Sequence, residues 1–236
     1  MVLNINGQIS AFSPRSFQNM SLFYGDTSAS LNNRKDFLNT IGIDYRDLVC
    51  AKQIHSSCIS YVKEEDRGKG ALFYEDAIAD TDALVTDKRN LPLAVFTADC
   101  LSIFLYDPAA PAIGLVHAGW RSSRENITAK TVKFLQDKFN SKPSGLYVGF
   151  GPAIRDCCYE VGEDFNDSFL NNIIKRDNRY YLDLISLNKS QLLALGVREN
   201  NIFDSGVCTC CRNDESFSYR KEGKSCGRII SVLMLK

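Results

Sequence analysis

The stretch LAVFTADCLSIFLYDPAAPAIGLVHAGWR, residues 93–121, contains three short apolar runs separated by polar and turn-forming residues. Runs of this length between turn residues predict β-strands, here at residues 93–98, 103–106 and 112–117. Neighbouring runs have the spacing of hairpins and do not alternate strictly with helices. This pattern favours a mixed sheet over a doubly wound parallel one.

The rest of the chain extends the same mixed pattern. Further apolar runs predict strands at residues 47–54, 59–62, 83–86, 146–150 and 229–235. Helices are predicted at residues 30–41, 124–139, 163–170 and 184–195. In the clearest helix, 124–139, the apolar residues fall on one face and Ser122 or Ser123 is a candidate N-cap. No linker, repeat or low-complexity stretch interrupts the pattern, so we expect a single α+β domain over residues 1–236.

Composition restricts the kinds of partner that the chain can have. It has 236 residues, 44% of them hydrophobic, and its 28 basic residues balance 28 acidic ones. Without a basic stripe or charged tail, neither a nucleic acid nor a membrane surface is an expected partner. The N-terminal residues lack the features of a signal peptide, and no apolar run of about eighteen residues occurs. We therefore expect a cytoplasmic protein that acts on a small molecule.

Two histidines and one cysteine form a candidate metal site. His55 and His117 are the only histidines, and Cys100 lies between them in sequence. Each of the three follows or ends an apolar run, where a sheet delivers side chains to a cleft. Two imidazoles and one thiolate would leave one tetrahedral position of zinc open, which is typical of a catalytic zinc site. The spacing matches no zinc finger, so ordinary core packing remains the alternative.

Other polar groups near these residues have candidate roles. The segment 119–123 leads into a predicted helix, where backbone N–H groups and Arg121 would bind a phosphate or a carboxylate. Asp80 and Asp82 would share one face of an extended segment, as proton carriers or as hydrogen-bond partners of the metal ligands. A surface arginine and a solvated turn are the respective alternatives.

Nine cysteines are many for a cytoplasmic protein. Cys157 and Cys158 are adjacent, and Cys208, Cys210 and Cys211 form a second group. No histidine remains to join them in a mixed metal site. We expect buried packing or unpaired thiols here in preference to a closed all-cysteine metal site.

Taken together, the motifs resemble those of the YfiH/laccase-domain (FAMIN-like) purine nucleoside phosphorylase family, and they run in order over residues 20–230. They are Gly25-Asp26, Asn33-Arg34, Gln53-Ile54-His55, Ala79-Asp80-Thr81-Asp82-Ala83-Leu84-Val85-Thr86, Thr97-Ala98-Asp99-Cys100, His117-Ala118-Gly119-Trp120-Arg121, Gly151-Pro152-Ala153-Ile154, Cys158-Tyr159-Glu160-Val161, Cys208-Thr209, Phe217-Ser218-Tyr219-Arg220 and Gly227-Arg228. One departure is Ser122, where the family usually has glycine, and its side chain would narrow an anion pocket.

The resemblance implies a fold of stacked mixed β-sheets flanked by helices, in α/β/β/α layers. It implies a zinc ion held by His55, Cys100 and His117. It also implies phosphorolysis of adenosine, inosine, guanosine and methylthioadenosine, together with adenosine deamination. The expected partners are purine nucleosides and phosphate, and the oligomeric state stays open, with a homodimer as one option.

Our leading hypothesis is therefore a zinc-dependent purine nucleoside phosphorylase with adenosine deaminase activity. Cys100 and His117 would be catalytic as metal ligands, and the proton carrier would be Asp82, Asp80 or Glu160. Arg121, with Arg34 and Lys52, would bind the phosphate. These three basic residues form the predicted phosphate site.

Two alternatives belong to other classes of enzyme. A copper-dependent polyphenol oxidase would need many imidazole ligands for a multicopper cluster, and this chain has two. A single copper in the same ligand set would need a weak axial ligand, and Met1, Met20 and Met234 are distant from the motifs in sequence. A metal-free cysteine amidohydrolase would use Cys100 as nucleophile and His117 or His55 as base. It would leave the second histidine without a role.

Overall fold

The computed structural model describes residues 2–3 and 5–236. In these residues it contains the α-helices α1 (Thr27–Thr40), α2 (Trp120–Arg124), α3 (Ile127–Phe139), α4 (Phe165–Phe169), α5 (Leu184–Ala194) and α6 (Tyr219–Glu222). The strands are β1 (Gln8–Phe12), β2 (Val49–Cys50), β3 (Ile59–Tyr61), β4 (Ala83–Thr86), β5 (Leu93–Thr97), β6 (Leu101–Asp107), β7 (Ala112–Ala118), β8 (Tyr147–Phe150), β9 (Glu160–Val161), β10 (Ile173–Arg176), β11 (Arg179–Leu182), β12 (Ile202–Asp204) and β13 (Ile229–Leu235).

The strands form three sheets. A six-stranded sheet has the order β12-β8-β6-β7-β4-β3, a four-stranded sheet the order β1-β13-β5-β2, and a small sheet the order β10-β11-β9. Both larger sheets are mixed, because β12–β8, β3–β4 and β2–β5 are parallel pairs and the other pairs are antiparallel. The predicted mixed α+β architecture is therefore confirmed.

The alternation of side chains along the central strands stacks the two larger sheets. On β7, Ile113 and Leu115 pack towards the four-stranded sheet, in one apolar cluster with Val95 and Leu233. Val116 of β7 belongs to a second cluster on the opposite face. The six-stranded sheet therefore buries both of its faces.

Helices cover the two outer faces of this stack. Val132 and Leu135 of α3 and Leu192 of α5 complete the cluster on the six-stranded sheet. On the other side, Phe37 and Leu38 of α1 pack against the four-stranded sheet. The layers are thus α/β/β/α, as the resemblance implied. No helix in the described part of the chain is long and apolar enough to cross a membrane.

Two predicted elements differ from the structure where a residue takes the left-handed backbone conformation. The strand predicted at 47–54 is limited to Val49–Cys50, and the chain then turns at His55, which has φ of 60°. The helix predicted at 124–139 begins only at Ile127, as α3, because Asn126 has φ of 61°, and the short helix α2 precedes this break. Ser122 and Ser123 are buried inside α2, so neither is an N-cap.

Candidate functional site

The three candidate metal ligands meet at one end of the stacked sheets. Cys100 lies in the turn between β5 and β6, His117 lies near the end of β7, and His55 lies in the loop after β2. Their ligand atoms all lie within 4.8 Å of one another, and Nε2 of His55 is 4.0 Å from Sγ of Cys100. The fold thus brings together residues that are far apart in sequence.

A buried carboxylate orients both histidines. Oδ1 of Asp82 lies 2.8 Å from Nδ1 of His117 and accepts a hydrogen bond from the backbone N–H of His55 at 3.0 Å. Oδ2 accepts two bonds from Ser56, one from its backbone N–H at 2.7 Å and one from its hydroxyl at 2.9 Å. With its proton on Nδ1, His117 presents the lone pair of Nε2 to a metal, and a carboxylate behind a ligand histidine is typical of zinc sites.

A glycine allows the ligands to approach each other. A Cβ atom on Gly119 would lie 3.0 Å from Sγ of Cys100 and 3.2 Å from Cδ2 of His55. Both distances are tighter than those that real Cβ atoms normally show, and both neighbours are candidate ligands. The absence of a side chain at residue 119 therefore leaves room for the ligand set.

The electrostatics favour a thiolate at this site. Burial opposes ionisation of Cys100, but the charge of His117 and hydrogen bonds from both imidazoles lower the pKa of the thiol to about 6. Burial likewise opposes protonation of His117, but the Cys100 thiolate and the Asp82 carboxylate raise the pKa of this imidazole to about 9. At neutral pH these values favour a Cys100 thiolate beside a protonated His117, and a metal that binds the thiolate would replace the proton on Nε2 of His117.

These ligands line a cavity of about 570 Å³. Its aromatic and apolar walls come from several layers of the fold, and its charged groups are mainly arginines. The lining aromatic residues are Phe23, Tyr24, Tyr74, Phe96, Trp120, Tyr159 and Tyr219. The lining arginines are Arg34, Arg121, Arg220 and Arg228. A cavity of this volume fits a small molecule that has both an apolar and an anionic part.

The predicted phosphate residues have three different environments. Arg121 is exposed, lines the cavity and stacks on Trp120. Arg34 also lines the cavity, but it is buried and donates three hydrogen bonds of 2.7–3.0 Å to the backbone carbonyls of residues 20, 70 and 71. Lys52 is not part of the cavity lining and lies over the ring of Tyr74. The structure thus brings Arg121 and Arg34, but not Lys52, to the cavity.

The predicted proton carriers all lie outside the cavity lining. Asp80 and Glu160 are exposed to solvent, and Glu160 pairs with Arg179. Asp82 is fully buried behind His117, which fits the second of its two predicted roles, hydrogen bonding to the ligands.

Ser122 is also buried, and its hydroxyl donates to backbone carbonyls of residues 117 and 119. Contrary to our expectation, Ser122 does not narrow the cavity.

Asp99 is the one carboxylate in the cavity lining among the residues that the structure describes. Its Oδ1 accepts a hydrogen bond from the Thr209 hydroxyl at 2.6 Å, and its Oδ2 accepts one from the backbone N–H of Arg220 at 2.6 Å. Asp99 has φ of 84°, so it departs from regular strand geometry between β5 and β6. It was not among the predicted proton carriers.

Arg220 and Arg228 were also missed as site residues. Both belong to motifs near the C-terminus that carried the family resemblance, but nothing in their spacing indicated that they would meet Arg121 in a cavity. None of these three arginines forms a salt bridge within the described part of the chain. Cations without a carboxylate partner in a cavity are suited to binding an anion.

Burial in the core does not account for the second group of cysteines. Cys157 and Cys211 are exposed, and Cys158 is partly exposed. The four thiols of Cys157, Cys158, Cys208 and Cys211 lie within 4.8 Å of one another, and none of these residues lines the cavity. Buried packing, one part of the expectation, is therefore wrong for three of the four, whereas all four are unpaired thiols, as its other part predicted.

Comparison with known proteins places the chain in a family. Residues 6–236 match the family model described as multi-copper polyphenol oxidoreductase laccase. The purine nucleoside phosphorylase YlmD of Geobacillus stearothermophilus is 34% identical over 91% of this chain and 82% of its own length. The adenosine deaminase RL5 of an unknown prokaryotic organism is 31% identical over 98% of this chain and 91% of its own.

The fold is shared with solved structures as well. The hypothetical protein YfiH of Bacillus licheniformis superposes with a TM-score of 0.93 and 30% identity, over 97% of this chain and 93% of its own. The chain therefore belongs to this family of enzymes, the multi-copper polyphenol oxidoreductase laccase family.

Proposed function

We propose that the chain is a zinc-dependent purine nucleoside phosphorylase that also deaminates adenosine. The observation that carries the proposal is a His-Cys-His ligand set in the same cavity as three arginines without carboxylate partners and several aromatic rings. Relatives named purine nucleoside phosphorylase and adenosine deaminase support it. The chain would belong to the part of the family that processes purine nucleosides.

The donor set fits zinc. His55, Cys100 and His117 would hold the ion, and the Asp82 carboxylate fixes which nitrogen of His117 is available. When bound, zinc supplies Lewis-acid activation of water or of a substrate oxygen near neutral pH. Three protein ligands leave one position for a substrate or a water molecule.

For phosphorolysis, the arginines bind and orient phosphate. A phosphate oxygen forms a bond to C1′ of the ribose as the C1′–N9 bond breaks, and the electron pair leaves with the purine, which then takes up a proton. Arg121, Arg220 and Arg228 neutralise the attacking dianion and hold it in the cavity. Arg34 would act differently, because its guanidinium donates hydrogen bonds to backbone carbonyls and so stabilises the wall of the cavity.

The aromatic side chains would bind the purine. Phe23, Tyr24 and Tyr219 are substantially exposed although they are large apolar residues, and all three line the cavity. Flat aromatic rings stack on a base through its π-face with little preference among purines. This arrangement is consistent with a phosphorylase that accepts several purine nucleosides.

For deamination, Asp99 is the carboxylate that we propose as proton carrier. Water adds an oxygen to C6 of adenine, the amino group leaves as ammonia, and a proton must move from the water to that nitrogen. Asp99 lines the cavity next to Cys100, and its two hydrogen bonds hold the carboxylate in position. Asp82, which is fully buried behind His117 and outside the cavity lining, acts as a positioning residue.

We favour zinc over copper on the ligand count. The family description names copper, but a multicopper cluster needs more imidazoles than the two in this chain. A single blue-copper site would take a weak axial methionine. Met20 and Met234 are buried in the apolar layer beneath α1, and Met1 lies outside the described residues.

The test combines metal analysis with product analysis. The wild-type chain and His117→Ala are purified, their metal content is measured, and each is incubated with adenosine in the presence and absence of phosphate. We expect the variant to lose one zinc per chain. We expect wild-type to form adenine and ribose 1-phosphate only with phosphate, and inosine with or without it. The variant should form neither product.

Other outcomes would identify another class of enzyme. Stoichiometric copper with oxidation of a phenol would establish the oxidase. A metal-free protein that leaves adenosine unchanged and hydrolyses an amide substrate, with this activity abolished by alkylation of Cys100, would establish the cysteine amidohydrolase. Asp80→Asn is the control. Its residue is exposed and lies two positions before the buried Asp82, so this variant should retain metal and both activities.

A further inference from the structure

Four cysteines form a compact cluster outside the cavity. The sulfurs of Cys157, Cys158, Cys208 and Cys211 all lie within 4.8 Å of one another. Sγ of Cys211 is 3.6 Å from Sγ of Cys157 and 3.3 Å from Sγ of Cys158. The four residues come from two loops, one after β8 and one after β12, so the cluster joins segments that are about fifty residues apart.

The second loop makes a turn that brings Cys208 and Cys211 together. The backbone N–H of Arg212 donates to the carbonyl oxygen of Cys208 at 2.9 Å and closes this turn. The spacing of Cys208 and Cys211, with two residues between them, is typical of structural zinc sites.

We propose that these four thiolates bind one structural zinc ion. A zinc–sulfur distance of about 2.3 Å places the sulfurs of a tetrahedral site about 3.8 Å apart, and the cluster already has this scale. Iron–sulfur clusters have several iron and sulfide ions between their cysteine ligands, which would hold the sulfurs further apart. Four soft ligands at these separations fit a single ion and leave no position open to substrate.

Two arginines lie next to the cluster. A zinc ion with four thiolates carries a net charge of about −2, because zinc contributes two positive charges and the thiolates four negative ones. Arg155 is ion-paired with Asp204, and its Nε is buried without a hydrogen-bond partner in the described part of the chain. Arg220 donates to the backbone carbonyl of Cys158. Arg220, and the part of the Arg155 charge that Asp204 does not balance, would offset some of the charge of the ionised sulfurs.

The cluster is connected to the wall of the cavity. Ala153 and Cys208 form a β-bridge, and the next residue, Thr209, donates its hydroxyl to Asp99. Tyr159, which follows the first pair of cysteines, lines the cavity beneath Arg220. An ion in the cluster would therefore hold Asp99, Tyr159 and Arg220 in place, although none of the four cysteines lines the cavity.

The first experiment counts zinc ions in the full chain. We expect two ions per wild-type chain, one in the Cys208→Ser/Cys211→Ser double variant, and one in His117→Ala. The losses belong to different sites, so failure of the proposed enzyme centre and failure of this cluster give different results. Cys210→Ser changes a cysteine of the same loop outside the cluster and should retain both ions.

A spectroscopic measurement covers the case in which the double variant does not fold. Apo-His117→Ala, which keeps only the four-cysteine cluster, is titrated with cobalt(II) alone. We expect one equivalent to produce the intense thiolate-to-cobalt absorption of a tetrahedral four-thiolate site. A wild-type chain with only one zinc, together with no such absorption, would overturn the proposal. An intact mass lower by two hydrogens per bond would instead identify disulfides within the cluster.

Discussion

Nδ1 of His117 lies 2.8 Å from Oδ1 of Asp82, and the same oxygen accepts the backbone N–H of His55 at 3.0 Å. One buried carboxylate therefore orients one candidate ligand through its ring and another through its backbone. His55 has φ of 60°, a conformation that is unfavourable for a residue with a Cβ. The hydrogen bonds to Asp82 hold the loop in this conformation.

Removing the charge of Asp82 should weaken metal binding. In Asp82→Asn, an amide NH₂ group would replace one of the two carboxylate oxygens that accept hydrogen bonds from N–H groups. The loss of the negative charge would also lower the basicity of His117. We expect the affinity for zinc to decrease roughly 10- to 100-fold, the usual effect of losing such a partner. Competition with a chelator measures the affinity. The exposed Asp80→Asn is the matched control, and an affinity equal to wild-type in Asp82→Asn would contradict the assigned role.

A methyl group at residue 119 should disturb the ligand set. Because the Cβ atom of Gly119→Ala would lie 3.0 Å from Sγ of Cys100, either the ligand or helix α2 must shift. We expect zinc occupancy after dialysis against a chelator to fall below half of the wild-type value. Gly145→Ala places its Cβ where no atom lies within 4 Å, so it controls for the substitution itself. Equal occupancy in both variants would show that the close approach is not needed.

Much of the fold could be predicted from local patterns. β4 and β13 begin and end at the predicted residues, because short runs of mostly apolar residues mark strands that are buried on both faces. The break between α2 and α3 could not be predicted from periodicity. The apolar residues with helical spacing all lie within 127–139, so they do not show where the helix begins. It depends on the left-handed conformation of Asn126.

The candidate metal ligands could be picked out because few residue types can bind zinc and the chain has only two histidines. The candidate anion-binding arginines could be picked out only in part. Arg121 is four residues after His117 in sequence, whereas Arg220 and Arg228 reach the cavity through α6 and the segment before β13. Lys52 follows β2 directly, but its side chain lies on Tyr74 outside the cavity lining. Such long-range placement depends on the tertiary fold.

The cavity arginines should determine the affinity for phosphate. Each charge-assisted hydrogen bond contributes about 1.5–3 kcal/mol, so Arg121→Met should raise KM for phosphate roughly 10-fold or more. The KM for adenosine should change much less, because the purine is bound elsewhere in the cavity. Initial rates at varied phosphate give both constants. Lys52→Met is the control, and a comparable rise in its KM for phosphate would restore Lys52 to the site.

The ion pair between Arg15 and Glu222 should make stability depend on pH in the acidic range. Nη1 and Nη2 of Arg15 donate to the two carboxylate oxygens of Glu222 at 2.7 and 2.9 Å. These bonds, with a smaller opposing effect of burial and further support from Asn213, lower the pKa of Glu222 from 4.5 to about 2. A depressed pKa stabilises the fold fully above the unfolded value, and this contribution is lost as the pH falls from about 4.5 to about 2.

Glu222→Gln should therefore be less stable than wild-type by about 1–2 kcal/mol at pH 7, since solvent screens part of the pair. The difference should shrink as the pH falls through this range, because protonated glutamate resembles glutamine. Urea unfolding at several pH values measures it. Glu199→Gln, whose partner Lys189 is on an exposed surface, should match wild-type throughout. Because α6 also carries Arg220, a pH-independent difference for Glu222→Gln would mean that the hydrogen bonds of Glu222, and not its charge, fix this helix.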